Sequence, residues 1–335
     1  MREEVIFRME SAYREDFEVK SYHFGGPEKT MCIIGNMRGN EIQQLYIAGQ
    51  MVRTLKRFEE EGRFIRRHGV TVIPCANPYS VNVGKRFWAM DNSDINRMYP
   101  GYNKGETTQR IAAGIFEKIQ GYRFGVQFSS FYMSGDFVSH VRMMKTDYED
   151  TGLAQLFGMP FVVLRKPVPF DTTTLNFNWQ VWDTKAFSLY SRSTEKIDKK
   201  GADMAIAAVC RFLSRMNVLN YNVYGGYEST VLLEEELVSL RSTASGLYIP
   251  PTVCTRNTIE RFFGKSTIIQ INMQPHHHPF NWFQVSSRQH SSGNFQCINS
   301  LPCRKRKRII TQWITLIIIY NSIREINGIG SIGFQ

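Results

Sequence analysis

The chain has 335 residues, 42% hydrophobic and 13% aromatic, which is enough apolar material for a sizeable core. This length predicts one large domain and a smaller second one, because single cores rarely grow beyond about 250–300 residues. The formal net charge of +11 is unevenly spread: residues 252–335 hold 10 Lys/Arg and 2 Asp/Glu, whereas residues 1–251 hold 31 and 28. Since the body is nearly balanced, a whole-protein electrostatic case for nucleic-acid binding is excluded.

The cysteines and the apolar runs indicate a reducing compartment. None of the six cysteines forms a Cys-x-x-Cys pair, and Cys32, Cys75 and Cys210 lie in apolar runs, where buried free thiols are expected. The first residues, Met-Arg-Glu-Glu-Val-Ile-Phe, contain no hydrophobic signal core, so we expect a cytoplasmic location. The apolar run at 309–320 has only 12 residues, fewer than the about 20 that a membrane-spanning helix needs, and no membrane partner is expected.

In chain order, the first 30 residues predict a polar lead-in with one or two short strands. Apolar runs bounded by glycine or proline then predict buried strands, and apolar residues at helical spacing predict the helices between them. The predicted strands are 30–35, 70–74, 124–128, 160–164 and 186–190. One predicted helix begins at Asn40, and two others span 106–119 and 200–216.

This alternation of strands and helices predicts an α/β domain with a mainly parallel sheet over residues 1–216. Ligands of such sheets lie at the carboxyl ends of the strands. Residues 217–251 predict the start of a small β domain, with strands at 231–233, 237–240 and 246–249. Residues 252–335 lack aspartate, show no helical or strand pattern, and are typical of translation in a shifted reading frame, so we expect an irregular tail.

Two segments carry most of the chemistry. Residues 35–41 read Gly-Asn-Met-Arg-Gly-Asn-Glu directly after a predicted strand, and residues 94–101 read Asp-Ile-Asn-Arg-Met-Tyr-Pro-Gly. Zinc amidohydrolases of the carboxypeptidase type use His-x-x-Glu at a strand-to-helix turn and a distant histidine, which leaves a fourth position for water. In this chain Glu41 stands at the glutamate position, and Arg38 stands where the first histidine is expected.

Together with Pro-Cys-Ala-Asn at 74–77, these segments resemble the succinylglutamate desuccinylase/aspartoacylase family, relatives of the zinc carboxypeptidases. The resemblance implies a zinc-carboxypeptidase-like sheet flanked by helices, with a small truncated C-terminal β appendage. It also implies zinc as the cofactor and deacylation of a small N-acyl amino acid or similar carboxylate substrate. It assigns recognition of the substrate carboxylate to Arg86, Asn96, Arg97 and Arg142, because a guanidinium binds a carboxylate through two parallel hydrogen bonds.

The catalytic half of the resemblance is incomplete. Arg38 replaces the first zinc histidine, Ser129 aligns with the second, and Tyr190 aligns with the catalytic glutamate, which leaves Glu41 as the retained metal ligand. Arginine is not a metal ligand at neutral pH, and its charge opposes a cation. An alternative is therefore that Arg38 pairs with Glu41 and fills the space of the metal, while Glu41 itself could also be a carboxylate stabilised by the start of a helix.

His140, in the string His-Val-Arg at 140–142, is the best candidate for a replacement ligand or an acid/base group, and a hydrogen-bonded structural histidine is the alternative. For Arg97 the alternative is a surface or structural arginine, and its place in the motif favours a role in the pocket. The His triplet at 276–278 and the basic run at 304–308 are weak signals for metal and for nucleic acid. Three functions thus stay open: a metal-dependent deacylase, a catalytically inactive relative that binds a carboxylate ligand or a protein partner, and a tail-based nucleic-acid binder. The oligomeric state is not indicated.

Overall fold

The computed structural model describes residues 1–241 except 13–14, 66 and 133–136, together with two strands at 269–275 and 312–319. The chain divides into two compact units, Met1–Glu235 and Glu236–Gln335. The first unit contains a nine-stranded mixed sheet with helices on both faces, and this confirms the predicted α/β fold class.

Five strands of the large sheet, β3, β4, β5, β7 and β8, lie within a few residues of the predicted positions. Its strand order is β1-β2-β4-β3-β5-β8-β6-β7-β9. The strands are β1 Arg2–Met9, β2 Phe17–Gly25, β3 Glu28–Asn36, β4 His68–Cys75, β5 Phe124–Ser129, β6 His140–Met144, β7 Phe161–Arg165, β8 Lys185–Tyr190 and β9 Thr230–Leu233.

Strand direction determines which residues meet at one end of the sheet. Strands β4, β3, β5 and β8 are mutually parallel, so their carboxyl ends share one edge. Strand β6 runs antiparallel to β8, and its first residue, His140, is therefore opposite the last residue of β8, Tyr190. The start of β6 consequently joins the edge where the parallel strands end.

Helices cover both faces of the sheet because each carries an apolar stripe. Apolar residues of α1 and α6 belong to one buried cluster with the sheet, and those of α3 and α5 belong to a second cluster on the opposite face. The helices are α1 Ile42–Glu60, α2 Pro78–Asn82, α3 Thr107–Ile119, α4 Thr151–Gln155, α5 Leu175–Val181 and α6 Lys199–Arg215.

The C-terminal part differs from expectation in two respects. Strand β9, predicted as the start of the appended β domain, instead pairs in parallel with β7 and completes the large sheet. The tail, predicted to be irregular, contributes two strands of a three-stranded sheet in the second unit, where β12 lies between the other two. These strands are β10 Leu237–Arg241, β11 Ile269–Pro275 and β12 Gln312–Ile319.

Other predictions for the C-terminal part fall outside the described residues. They are the strand at 246–249, the His triplet and the basic run. Over the part of the chain that the structure describes, no helix is both long and apolar enough to cross a membrane. Cys32 and Cys210 are buried free thiols, as predicted, and Cys75 is a half-buried free thiol.

Candidate functional site

The turn between β3 and α1, residues 37–41, is fixed by close backbone packing. The side-chain amide of Asn36 donates to the carbonyl oxygens of Arg38 and Glu41 at 2.7 and 3.1 Å. The backbone N–H of Gly39 donates to the carbonyl of Arg86 at 2.9 Å. A Cβ atom on Gly39 would lie 2.1 Å from the Lys85 carbonyl oxygen, so only glycine permits this approach.

The Glu41 carboxylate, only 1% exposed, lies at the centre of this turn. Its Oε2 accepts from the backbone N–H groups of Met37 and Arg38 at 3.0 and 3.1 Å. Its Oε1 accepts from Nη1 of Arg38 at 3.0 Å and from the hydroxyl of Ser130 at 2.6 Å. A carboxylate offers about four lone-pair sites, and four donors of the protein already point at this one.

Arg38 links two carboxylates. While Nη1 donates to Glu41, both Nε and Nη2 donate to Oδ2 of Asp94, at 3.0 and 2.8 Å. The other oxygen of Asp94 accepts from the backbone N–H of Asn96 at 3.0 Å. Burial by itself would lower the pKa of the Arg38 guanidinium, but the two carboxylates outweigh burial and raise this pKa above its usual value.

These residues do not fit a zinc ion. Zinc sites in proteins use Cys, His, Asp or Glu ligands, and arginine offers no lone pair to a metal. Within the described residues, no three His, Cys, Asp or Glu side chains are grouped so as to hold a metal ion. Because four protein donors already point at Glu41 and Arg38 pairs with it, these residues form an ion-paired network and not a set of metal ligands.

Arg86 lies next to this network with one weak hydrogen bond, from Nη1 to the side-chain oxygen of Asn40 at 3.4 Å. Its guanidinium carbon is 4.8 Å from the ring centroid of Tyr132, and its Nε is buried without a hydrogen-bond partner. Burial, and then the charge of Arg38, lower the pKa of Arg86. Arg86 is therefore a partly desolvated cation without a carboxylate partner among the described residues.

Asn96 begins a chain of buried amide hydrogen bonds on one face of the sheet. Its side-chain oxygen accepts from the Gln127 amide at 3.2 Å, and Gln127 accepts from Asn176 at 3.1 Å. Asn176 also donates to the Ser188 hydroxyl at 2.5 Å. Gln127 thus belongs to a buried amide network.

Arg97 is held by a buried acid on the neighbouring 3₁₀ turn. Its Nη1 donates to the Phe170 carbonyl at 2.8 Å and to Asp171 at 3.1 Å. Asp171 is 1% exposed and also pairs with Arg165 at 3.3 Å. The structure therefore gives Arg97 a structural partner in addition to any ligand that it could contact.

Ser129, Tyr190 and His140 lie side by side on three neighbouring strands. In the strand register Ser129 is opposite Tyr190, and Tyr190 is opposite His140. The rings of His140 and Tyr190 are stacked with centroids 4.8 Å apart, and Phe131 lies 4.9 Å from Tyr190 and 3.8 Å from Phe137. Tyr190 and His140, both predicted as catalytic residues, therefore belong to an aromatic cluster, defined here as Phe131, Phe137, His140 and Tyr190. Ser129, on the strand beside Tyr190, borders this cluster.

The surroundings of His140 keep its imidazole neutral. Nδ1 lies 2.8 Å from the carbonyl oxygen of Val138 and donates its proton there. Burial, and next the charge of Arg142, lower the pKa of His140 to about 3, so the imidazole carries no spare proton at neutral pH. Its buried Nε2 has no hydrogen-bond partner among the described residues. This arrangement favours the structural interpretation of His140 over an acid role.

Arg142 lies over the ring of Tyr190 and forms no ion pair among the described residues. Its guanidinium carbon is 4.7 Å from the ring centroid of Tyr190, and its buried Nε has no hydrogen-bond partner. In the register of β6 and β8 it is opposite Ser188, which belongs to the Asn96 amide chain. Arg142, one of the residues predicted to recognise the substrate carboxylate, thus lies beside the aromatic cluster.

Sequence reasoning assigned no role to four residues that organise the site. Asp94 could have been noticed as the acid of the Asp-x-Asn-Arg motif, and Ser130 follows directly after a predicted site residue. Asp171 and Asn176 carry no local signal, because each acts through residues distant in sequence. Their contribution is visible only in three dimensions.

Comparison with known proteins agrees with this geometry. The model of the succinylglutamate desuccinylase/aspartoacylase catalytic domain matches residues 27–213. No curated protein matches the chain.

Solved structures with the same fold share few residues with this chain. A succinylglutamate desuccinylase/aspartoacylase from Rhodobacter sphaeroides has 18% identity, with 71% of this chain and 72% of that chain covered at a TM-score of 0.58. A succinylglutamate desuccinylase from Silicibacter sp. TM1040 has 16% identity, 74% and 76% coverage and a TM-score of 0.61. The product-bound ectoine utilization protein EutE from Ruegeria pomeroyi has 16% identity, 69% and 71% coverage and a TM-score of 0.58. With the family match over more than half of its length, the chain belongs to the succinylglutamate desuccinylase/aspartoacylase family of hydrolases.

Proposed function

We propose that this family member binds a small carboxylate-bearing ligand of the N-acyl amino acid class at the carboxyl edge of its parallel strands. The observation that carries the proposal is the presence of two guanidinium groups, Arg86 and Arg142, for which the described residues provide no carboxylate. A partly buried cation without an ion-pair partner is costly, and an anionic ligand reduces that cost.

The local charges support an anion at this edge. Arg38 is already balanced, because it shares its charge with Glu41 and Asp94. Arg86 donates one weak hydrogen bond to an amide oxygen and lies over the Tyr132 ring, and burial followed by the charge of Arg38 lowers its pKa, while Glu41 and Asp94 act in the opposite direction. The planar fork of arginine matches a carboxylate through two hydrogen bonds.

The two guanidinium groups each lie over an aromatic ring. Arg86 lies over Tyr132, while the preceding residue, Phe131, packs against Tyr190, over which Arg142 lies. Aromatic rings beside these two cations favour a ligand that combines an apolar part with carboxylate groups. N-acyl amino acids have this composition.

Hydrolysis of the ligand is the second candidate function, and the family match over residues 27–213 favours it. The donor set around Glu41 argues against a zinc-bound water as the nucleophile. We therefore place ligand binding first and deacylation second.

Calorimetric titration with N-acetylaspartate and N-succinylglutamate tests the binding proposal. We expect wild-type protein to bind one of them, and Arg142→Gln and Arg86→Gln to weaken binding about tenfold or more, since a hydrogen bond to a charged group is worth about 1.5–3 kcal/mol. Arg53→Gln on the exposed side of α1 is the matched control and should leave affinity unchanged. Absence of binding to both compounds, or equal affinity in all variants, would contradict the proposal.

The same mixtures decide the second candidate. Mass spectrometry of the ligand after long incubation, with and without added zinc, detects cleavage of the amide. Release of the free amino acid at a rate proportional to enzyme concentration would favour the deacylase, and an intact ligand would favour binding without hydrolysis.

A further inference from the structure

In the β3–α1 turn the negative charge of Glu41 is fully paired by donors of the protein, without a metal. Its central carboxylate, Glu41, accepts four hydrogen bonds, two from backbone N–H groups of the turn and two from side chains of Arg38 and Ser130. These four bonds use the about four lone-pair sites of a carboxylate. A metal ion could bind Glu41 only by displacing at least one of them.

We infer that the Arg38 guanidinium replaces a metal ion as the counter-charge that holds this turn in shape, and that the chain keeps its fold and site without zinc. Arg38 reaches both acids of the site, Glu41 through Nη1 and Asp94 through Nε and Nη2. Its side chain is only 13% exposed, so the pairs are sheltered from water and from salt.

The charge count agrees with this inference. Arg38 pairs with both Glu41 and Asp94, so each negative charge at this turn has a protein cation beside it. A divalent cation at Glu41 would lie beside the Arg38 guanidinium and would have to overcome its repulsion. Ser129, the position aligned with the second histidine, offers a hydroxyl in place of an imidazole. Both carboxylates of the turn are therefore paired without a metal, and the Arg38 guanidinium would repel one.

The first test measures metal in the wild-type chain. Elemental analysis after purification, titration with zinc, and melting curves with and without EDTA require no ligand, so they can be read separately from the proposed function. We expect no stoichiometric zinc, no saturable zinc binding in the micromolar range, and the same melting temperature in EDTA. One tightly bound zinc ion per chain, or a melting temperature lowered by EDTA, would overturn the inference.

The second test removes the guanidinium. Arg38→Ala leaves two carboxylates unpaired, and we expect the melting temperature to fall by about 10 °C, whereas Arg53→Ala on the exposed side of α1 should change it little. If Arg38→Ala does not fold, Arg38→Lys serves as the second variant. Lysine retains the charge but cannot donate to both acids in the same way, so we expect its melting temperature to lie above that of Arg38→Ala and below that of Arg53→Ala. Unchanged melting temperatures in Arg38→Lys and Arg38→Ala would overturn the structural role of Arg38.

The third test rebuilds the metal donors. The double variant Arg38→His, Ser129→His replaces the guanidinium by an imidazole three residues before Glu41 and adds a second imidazole at the end of β5. We expect it to bind cobalt with the visible absorption of a nitrogen-ligated ion, and to bind zinc where the wild type does not. A double variant with no more metal affinity than the wild type would mean that Arg38 is not what excludes the metal, and would overturn the inference.

Discussion

The imidazole of His140 lies flat against the phenol ring of Tyr190, with ring centroids 4.8 Å apart and planes inclined by 3°. The contact exists because β6 runs antiparallel to β8, so the first residue of one strand meets the last residue of the other. Tyr190 was predicted as the counterpart of the family's catalytic glutamate, and its ring packs against His140 and Phe131. The stacked pair thus helps to form an apolar wall where an acid is expected.

The buried neutral state of His140 predicts a pH-dependent stability. The folded-state pKa of about 3 lies below the unfolded value of about 6.5, so the unfolded chain takes up a proton first as the pH falls. The contribution of His140 is therefore complete above pH 6.5 and is lost between about pH 6.5 and pH 3, at up to about 1.4 kcal/mol per pH unit.

Urea unfolding at several pH values measures this contribution. His140→Phe keeps a ring against Tyr190 but cannot take up a proton, and we expect a flatter decline of stability below pH 6.5 than in the wild type. Nuclear magnetic resonance should show no protonation of His140 between pH 5 and 8. A midpoint near 6.5 for this imidazole would contradict its burial beside Arg142.

Ser130 should stabilise the fold more than its neighbour Ser129 does. Its hydroxyl donates to buried Glu41 at 2.6 Å, and hydrogen bonds to charged groups are worth about 1.5–3 kcal/mol. We expect Ser130→Ala to lower the free energy of unfolding by about 2 kcal/mol. Ser129→Ala removes a hydroxyl that has no hydrogen bond among the described residues, and should cost about 0.5 kcal/mol or less. Equal losses in urea unfolding would argue against the Glu41 network.

Asp171 should be a strong structural determinant, since one buried carboxylate pairs with both Arg97 and Arg165. Removing one partner of a buried ion pair costs about 3–5 kcal/mol, and we expect Asp171→Ala to lower the unfolding free energy by about 3 kcal/mol. Arg97→Gln should cost less stability, because Arg97 is one-third exposed, and should weaken ligand binding less than Arg142→Gln. A larger effect of Arg97→Gln on ligand affinity would assign Arg97 mainly to the ligand.

Two glycines offer a matched pair in which the same substitution has opposite effects. Gly39→Ala places a methyl group 2.1 Å from the Lys85 carbonyl oxygen, and the resulting overpacking should cost about 3 kcal/mol. Gly49→Ala in α1 meets no atom within 4 Å and should stabilise the helix by about 0.5–1 kcal/mol. Thermal and urea unfolding compare the two. A tolerated Gly39→Ala would contradict the tight packing of the β3–α1 turn.

Several parts of the fold could be predicted because their signals are local. The apolar run ending at Gly35 predicted β3, and the helical spacing after Asn40 predicted α1, since each element must bury one stripe or face. Strand β9 was misassigned because its pairing with β7 joins segments far apart in sequence. A local sequence pattern does not show which distant strand has an edge available for pairing.

The same distinction between local and long-range signals applies to the candidate site. The motif residues indicated the family and predicted that Arg38 takes the place of a zinc histidine, because residue identity at a motif position is a local property. The contacts of Arg38 could not be predicted, since they form only in the folded chain. Its two acids come from the same turn and from Asp94, 56 positions further along the chain, and the hydroxyl on Glu41 comes from Ser130, 89 positions away. Charge compensation depends on distance and burial in three dimensions, and these are created when the strands assemble into one sheet.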